Sequence, residues 1–217
     1  MKGPSAVGRL ALRLLAYTIL QGAILLGYVA AAQAAGERRL GGLTLAGLLR
    51  ENRWLEWAQI ALLAAISAAL LTWRTGPRRP LARLLAGAAL VALARELDSL
   101  LEGALFEHAH SVLMAIVGLA TIVVVWRDRA RIAPELAAFV GRAGFYLMGF
   151  GATLLIVYAQ VLGQRDLWRL LAEEDLLSEA KRFVEEGLEF MGYVLIGCGV
   201  VEERWFGSAP SEPSARP

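Results

Sequence analysis

The sequence predicts an all-α protein, a polytopic membrane helical bundle of about six transmembrane helices plus an interfacial amphipathic helix. Three observations carry that reading. Hydrophobic residues make up 57% of the 217, with a mean hydropathy of +0.53, above what a soluble domain carries. Several apolar runs approach or exceed the ~18 residues needed to cross a bilayer. The segments between the runs are short, charged and rich in helix breakers, which leaves almost no extramembrane domain. The expected organisation is a single bundle over 1–206 with a disordered tail at 207–217, where Ser and Pro accumulate.

The first segment is short and basic (Lys2, Arg9) and precedes an apolar run from Leu10 to Ala35. Ala32-Gln33-Ala34 resembles a signal-peptide cleavage site, but the run is far longer than a 7–15-residue signal core, so a retained first span is expected. Residues 36–53 form a connection, with Leu43–Leu49 as a short interfacial helix. The second span is expected from about Trp54 to Trp73. Thr75-Gly76-Pro77-Arg78-Arg79-Pro80 is a turn by its breakers and charge. The third span starts near Leu81 and ends in Arg95-Glu96-Leu97-Asp98-Ser99-Leu100-Leu101-Glu102. A hairpin around Gly103 leads to Glu107-His108-Ala109-His110, which opens a fourth span closing at Trp126.

Arg127 to Pro134 reads as a basic loop. The fifth span covers about Ala137 to Leu162, with Gly141, Gly144, Gly149 and Gly151 available for close helix contact. Residues 165–184 are charged on one side and apolar on the other, as an interfacial helix would be. The sixth span is about Gly187 to Val201, followed by Glu202-Glu203-Arg204-Trp205.

Net charge is +2, from 22 basic and 20 acidic residues, and no nucleic-acid partner is expected from that balance. The distribution is more telling. With the N-terminus inside, inner segments hold 13 Lys and Arg and outer segments 9. Trp73, Trp126 and Trp205 then fall at the inner interface, as an aromatic belt requires. This places both termini in the cytoplasm of a bacterial cell, with the chain a multi-pass protein of the inner membrane. The single cysteine, Cys198, rules out an internal disulfide and a Cys-based zinc site, and reads as a small buried helix residue.

In this topology the outer helix ends gather carboxylates. Glu51 and Glu56 open span two, and Asn52, Glu56 and Gln59 share one stripe at about 100° per residue. Arg95, Asp98 and Glu102 form an i, i+3, i+7 stripe that can pair internally, leaving Glu96 on another face. Glu107 and His110 form an E-x-x-H pair of the kind that puts a carboxylate and an imidazole on one metal in di-iron bundles, here present once rather than twice. Glu185 or Glu186, Glu189 and Tyr193 share a face of helix six. Glu56, Glu96 and Glu189 sit a turn inside their helices, where a charge is expensive unless paired or functional. The expected metal ligands are therefore Glu56, Glu96, Asp98, His110 and Glu189, supported by Asn52, Gln59, Arg95, Glu107, Glu186 and Tyr193. A hard divalent metal ion suits these oxygen donors, with histidine adding nitrogen. Proton transfer and a plain ion-pair network are the competing readings of the same residues. No haem is expected, because no second histidine-bearing helix exists. Glu202 and Glu203, on the inner side, are expected to tolerate substitution.

The motifs Glu-Asn-x-x-x-Glu-Trp-x-Gln at 51–59, Arg-Glu-Leu-Asp at 95–98 and Glu-Glu-x-Leu-Glu at 185–189 resemble a set of small bacterial multi-span membrane proteins of uncharacterised function. The resemblance implies a shared site and brings no activity with it. Alkaline ceramidase-like membrane hydrolases share an aspartate and a histidine that Asp98 and His110 could match. Their late pair of histidines at i, i+4 has no counterpart here, since no histidine follows His110.

Three functions follow as expectations. The first is an outward-facing acidic cation-binding site used in transport or sensing. The second is a membrane-embedded metal-dependent hydrolase of a lipid or envelope substrate. The third is a non-catalytic membrane assembly factor whose acids pair with arginines. The lipid bilayer is the expected partner, and six short spans leave room for a homodimer packed through the glycines of span five.

Overall fold

The computed structural model describes residues 6–37, 53–73, 79–169 and 174–206. Among these there are helices and turns and no strand. In chain order the helices are α1 (Ala6–Glu37), α2 (Arg53–Leu71), α3 (Arg79–Glu96), α4 (Asp98–Ala104), α5 (Ala109–Val140), α6 (Ala143–Leu162), α7 (Arg165–Arg169) and α8 (Glu174–Val201). A π-helical turn at Leu154–Tyr158 interrupts α6, and another at Glu202–Phe206 closes α8. The expected interfacial helix at 43–49, Glu51, Asn52 and the tail at 207–217 lie outside the described residues.

Three helices are long and apolar enough to cross a membrane: α1 over Val7–Ala30, α5 and α6. The apolar part of α2, Leu55–Leu71, is shorter. Arginines and Glu96 dilute α3, and the first half of α8 is charged. Burial differs between the two groups as well. The three that qualify turn most of their apolar surface outward, with Val7, Leu26, Ile116, Leu119 and Ile156 all more than 60% exposed. In α2 the buried face already carries polar side chains, Gln59 and Ser67.

Two boundaries differ from the sequence expectation. The stretch Arg127–Pro134 is helix rather than loop, so α5 runs unbroken for 32 residues with Pro134 inside it. Its charges are the reason. Asp128 pairs with Arg83 at 3.0 Å, and Glu135 accepts a hydrogen bond from the backbone N–H of Leu81 at 3.0 Å. That carboxylate satisfies one of the orphan donors in the first turn of α3, where negative charge is also favoured by the helix dipole. These contacts with α3 hold the charged half of α5 helical past the proline. At the other boundary, the expected separation between an interfacial helix and a sixth span is absent from Glu174 onward, because α8 is continuous to Val201.

The chain divides into two compact units. One comprises residues 1–55 and 153–194. Within it Tyr28 of α1 is buried against α8: its ring stacks on Phe183 with centroids 4.5 Å apart, and its hydroxyl donates to the Phe183 carbonyl at 3.1 Å. A Cβ on Gly187 would come within 3.0 Å of that ring.

The other unit comprises residues 56–152 and 195–217. Its core joins Ile66 and Leu70 of α2, Leu81, Ala82, Ala86 and Ala89 of α3, Phe139 of α5, Met148 of α6 and Val200 of α8. Leu70 near the end of α2 and Leu81 near the start of α3 thus belong to one core. α5 is antiparallel to α3, because position 81 meets 135, 83 meets 128 and 87 meets 121. At Gly87 the helices approach so closely that a Cβ would overlap the side chain of Thr121.

Candidate functional site

In α2, helix periodicity sets which polar groups turn inward. Leu55, Gln59, Leu63, Ile66 and Leu70 recur at helical spacing and are all buried, Gln59 to 2% exposure. Glu56 lies at the edge of that face and is half-buried. The C-terminal end of α3 carries Arg95 and Glu96. Arg95 is exposed and Glu96 half-buried. Helix α3 stops at Glu96, and after a turn at Leu97 the short α4 begins at Asp98, which is exposed. The expected stripe through Arg95, Asp98 and Glu102 is therefore broken at Leu97.

The E-x-x-H pair is not a helical pair. α5 begins at Ala109, and His108 before it adopts a left-handed backbone, φ 66°. Glu107 thus lies off the helix with its side chain 86% exposed, 3.7 Å from His108 Nε2. The partner of His110 is Glu102 instead. Glu102 Oε1 accepts from the backbone N–H of His108 at 3.1 Å and lies 2.9 Å from His110 Nδ1. Nδ1 is enclosed, and this approach is off the line of a well-formed hydrogen bond. On the ring's other side Nε2 meets Ser111 Oγ at 3.0 Å. Sequence spacing missed Glu102 because it presumed that the helix already included Glu107.

In the unit of α1, Glu189 is buried to 6% and Tyr193 to 2% on one face of α8. Glu186 pairs with Arg182 one turn earlier, and Glu185 with Lys181 at 3.2 Å. Glu189 and Tyr193 belong to a different unit from Glu56, Gln59, Glu96, Asp98 and His110. Among the described residues no group of three His, Cys, Asp or Glu side chains is gathered closely enough to hold a metal ion.

A second polar cluster was not anticipated. Glu202 and Glu203, expected to be tolerant, are each buried to 4%. Glu203 Oε1 accepts from Arg142 at 3.1 Å, with side chains only 3% and 16% exposed. Arg142 also donates to the Ala138 carbonyl at 3.2 Å. Arg204 donates to the Ala69 carbonyl and, at 2.9 Å, to Thr72 Oγ1, which caps the C-terminal end of α2. Two local features make this possible. The π-helical turn, with its i→i+5 bonds, turns Glu202 and Glu203 inward together while Arg204 reaches α2. Paired glycines let α6 meet α8: a Cβ at Gly144 would lie 2.9 Å from both Glu203 Cγ and the Gly199 carbonyl, and one at Gly199 would lie 2.6 Å from Met148 Cγ. Gly144 so fulfils the expectation of close helix contact, while Gly141 and Gly149 face open space. Glu203 also borders a small cavity otherwise lined by Trp73, Leu81, Ala82, Leu85, Phe139 and Met148. The sequence signal for the cluster was present as Gly144 and Gly199, each followed four residues later by a large side chain.

Comparison of the chain with protein-family models, with curated proteins and with solved structures finds no match.

Proposed function

We propose that the chain is an integral protein of the bacterial inner membrane whose outward acidic residues bind a cation, in transport or sensing. The proposed topology has six spans and cytoplasmic termini, with α2, α3 and the second half of α8 crossing in addition to α1, α5 and α6. The burial of Glu189, where the charged half of α8 gives way to its apolar half, is the observation that carries this reading. A carboxylate at that depth is kept at a cost unless it is paired, protonated or bound to a cation. Gln59, buried to 2%, and half-buried Glu56 repeat the pattern on α2. The cation is a proton or a hard divalent ion. A proton needs one buried carboxylate, whereas a metal would have to draw its ligands together, since the described residues hold no ready group of three.

The test is metal content of the purified protein in mild detergent, by mass spectrometry, together with thermal unfolding of wild type, Glu56→Gln and Glu189→Gln. The expected outcome is that added divalent cation or lowered pH stabilises wild type, and that Glu189→Gln loses this response while keeping or raising the basal Tm. A variant that merely unfolds earlier, with the response to cation and pH intact, would refute the proposal. That result would favour the assembly-factor reading, which the pairs Arg142–Glu203, Arg83–Asp128 and Arg182–Glu186 support.

A further inference from the structure

The continuation of α5 past Trp126 sorts its charges by face. Asp128, Ile132, Glu135 and Phe139 recur at i, i+4, i+7 and i+11. Ile132 and Phe139 are buried, and both acids are engaged by α3. The three arginines of the same stretch, Arg127, Arg129 and Arg131, are all exposed. No ion pair to an acid holds any of the three among the described residues. Arg129 is fixed locally: its guanidinium lies 4.8 Å from the centre of the Trp126 ring and donates to the Trp126 carbonyl at 2.8 Å.

The opposite face of α5 leads directly to these arginines. Val112, Ile116, Leu119, Val123 and Trp126 recur at i, i+4, i+7, i+11 and i+14, and all are 47–68% exposed. The next position of that stripe is Ala130, flanked by Arg129 and Arg131. From Ala109 to Trp126 a helix rises roughly 26 Å, close to the ~30 Å thickness of a bilayer's hydrocarbon core. With the apolar stripe in hydrocarbon, the turn that follows Trp126 lies at the level of the lipid phosphates.

We infer that Arg127, Arg129 and Arg131 form a binding surface for the headgroup of an anionic phospholipid. Acyl chains lie along the Val112–Trp126 stripe, and the headgroup phosphate meets the guanidinium groups, whose positive charge attracts it. The alternative sequence reading, a basic loop, would have supplied the same charge without a fixed surface. The helix sets the arginines one turn beyond the lipid-facing stripe and points the two acids away.

The inference rests on the membrane reading of α5 but not on the cation site. To test it, the protein is reconstituted into nanodiscs of phosphatidylcholine with a minority of phosphatidylglycerol, and retained lipids are counted by native mass spectrometry. Wild type is expected to retain phosphatidylglycerol above its share in the disc. The triple variant Arg127→Gln, Arg129→Gln, Arg131→Gln is expected to keep its Tm and to lose affinity for that lipid on the order of a hundredfold, from three basic residues at the membrane surface. Lysine at all three positions is expected to keep the enrichment. Absence of enrichment in wild type, unchanged enrichment in the glutamine variant, or loss in the lysine variant would each overturn the inference. Displacement of the lipid by millimolar inorganic phosphate would assign the arginines to a free anion and overturn it too. A chain that fails to enter the nanodisc sinks the membrane reading itself; one that enters without enrichment sinks this inference alone.

Discussion

Glu203 and Glu102 are both glutamates about 3 Å from a basic nitrogen, beside opposite ends of α5. Their settings differ. Glu203 is 3% exposed and Arg142 16%, with helix backbones closed around them at Gly144 and Gly199. Glu102 is 38% exposed and His110 23%, at a turn closed by a left-handed His108. The first pair has lost its water and depends on its partner. In the second the carboxylate stays hydrated and depends on its partner little. The same residue type is thus a stability element at one end and an adjustable group at the other, which is where a ligand-responsive site is affordable.

The largest effect is expected at the enclosed end. Glu203→Ala leaves Arg142 buried without its carboxylate and should cost about 3–5 kcal/mol, read as a fall in Tm in detergent. The double change Glu203→Leu, Arg142→Met should recover most of that loss, because a desolvated pair can be replaced by apolar packing. A double variant as unstable as the single would break the comparison, since the charge itself would then be needed.

Gly199→Ala should cost about 1–3 kcal/mol, because the new Cβ runs into the Gly144 carbonyl and Met148. Equal stability to wild type would mean that α6 and α8 are not held as closely as described.

A change of opposite sign sharpens the contrast. Ser67 Oγ is buried without a hydrogen-bond partner among the described residues. Ser67→Ala should therefore raise stability by about 1 kcal/mol, since an unsatisfied buried hydroxyl carries a desolvation cost with no bond in return. A measured loss would show that the hydroxyl has a partner.

The smallest effects belong to the open end. Glu102→Gln should cost under about 1 kcal/mol, because exposed ion pairs contribute little and the amide oxygen still accepts from His108 N–H. Glu107→Gln should leave the unfolding curve unchanged. If Glu107→Gln were the more damaging of the two, the assignment of Glu102 as the partner of His110 would fail.

Legibility followed the range of the interaction. Periodicity marked the buried face of α2, on which Gln59 lies, and the spacing of Glu189 and Tyr193 put them on one face of α8, where both are buried. The pairing of Glu107 with His110 failed because it hinged on where α5 begins, and a single residue in the left-handed region moved that start. Glu202 and Glu203 were misjudged because a regular helix would have turned one of two adjacent glutamates outward, and a π-helical turn is not visible in residue spacing.

The sequence by itself determined that the described chain is helical, since that follows from local composition and period; it read six spans, where three described helices are long and apolar enough to cross a membrane. Only the tertiary structure decided which charges are buried and with whom. Arg142 and Glu203 are 61 residues apart, and Leu81 and Glu135 are 54 apart. Pairs at such separation are selected by how helices pack, through contacts such as Gly144 on Gly199, and no local rule fixes that packing in advance. The same packing made a helix of the stretch after Trp126, by engaging its acids and leaving its arginines outside.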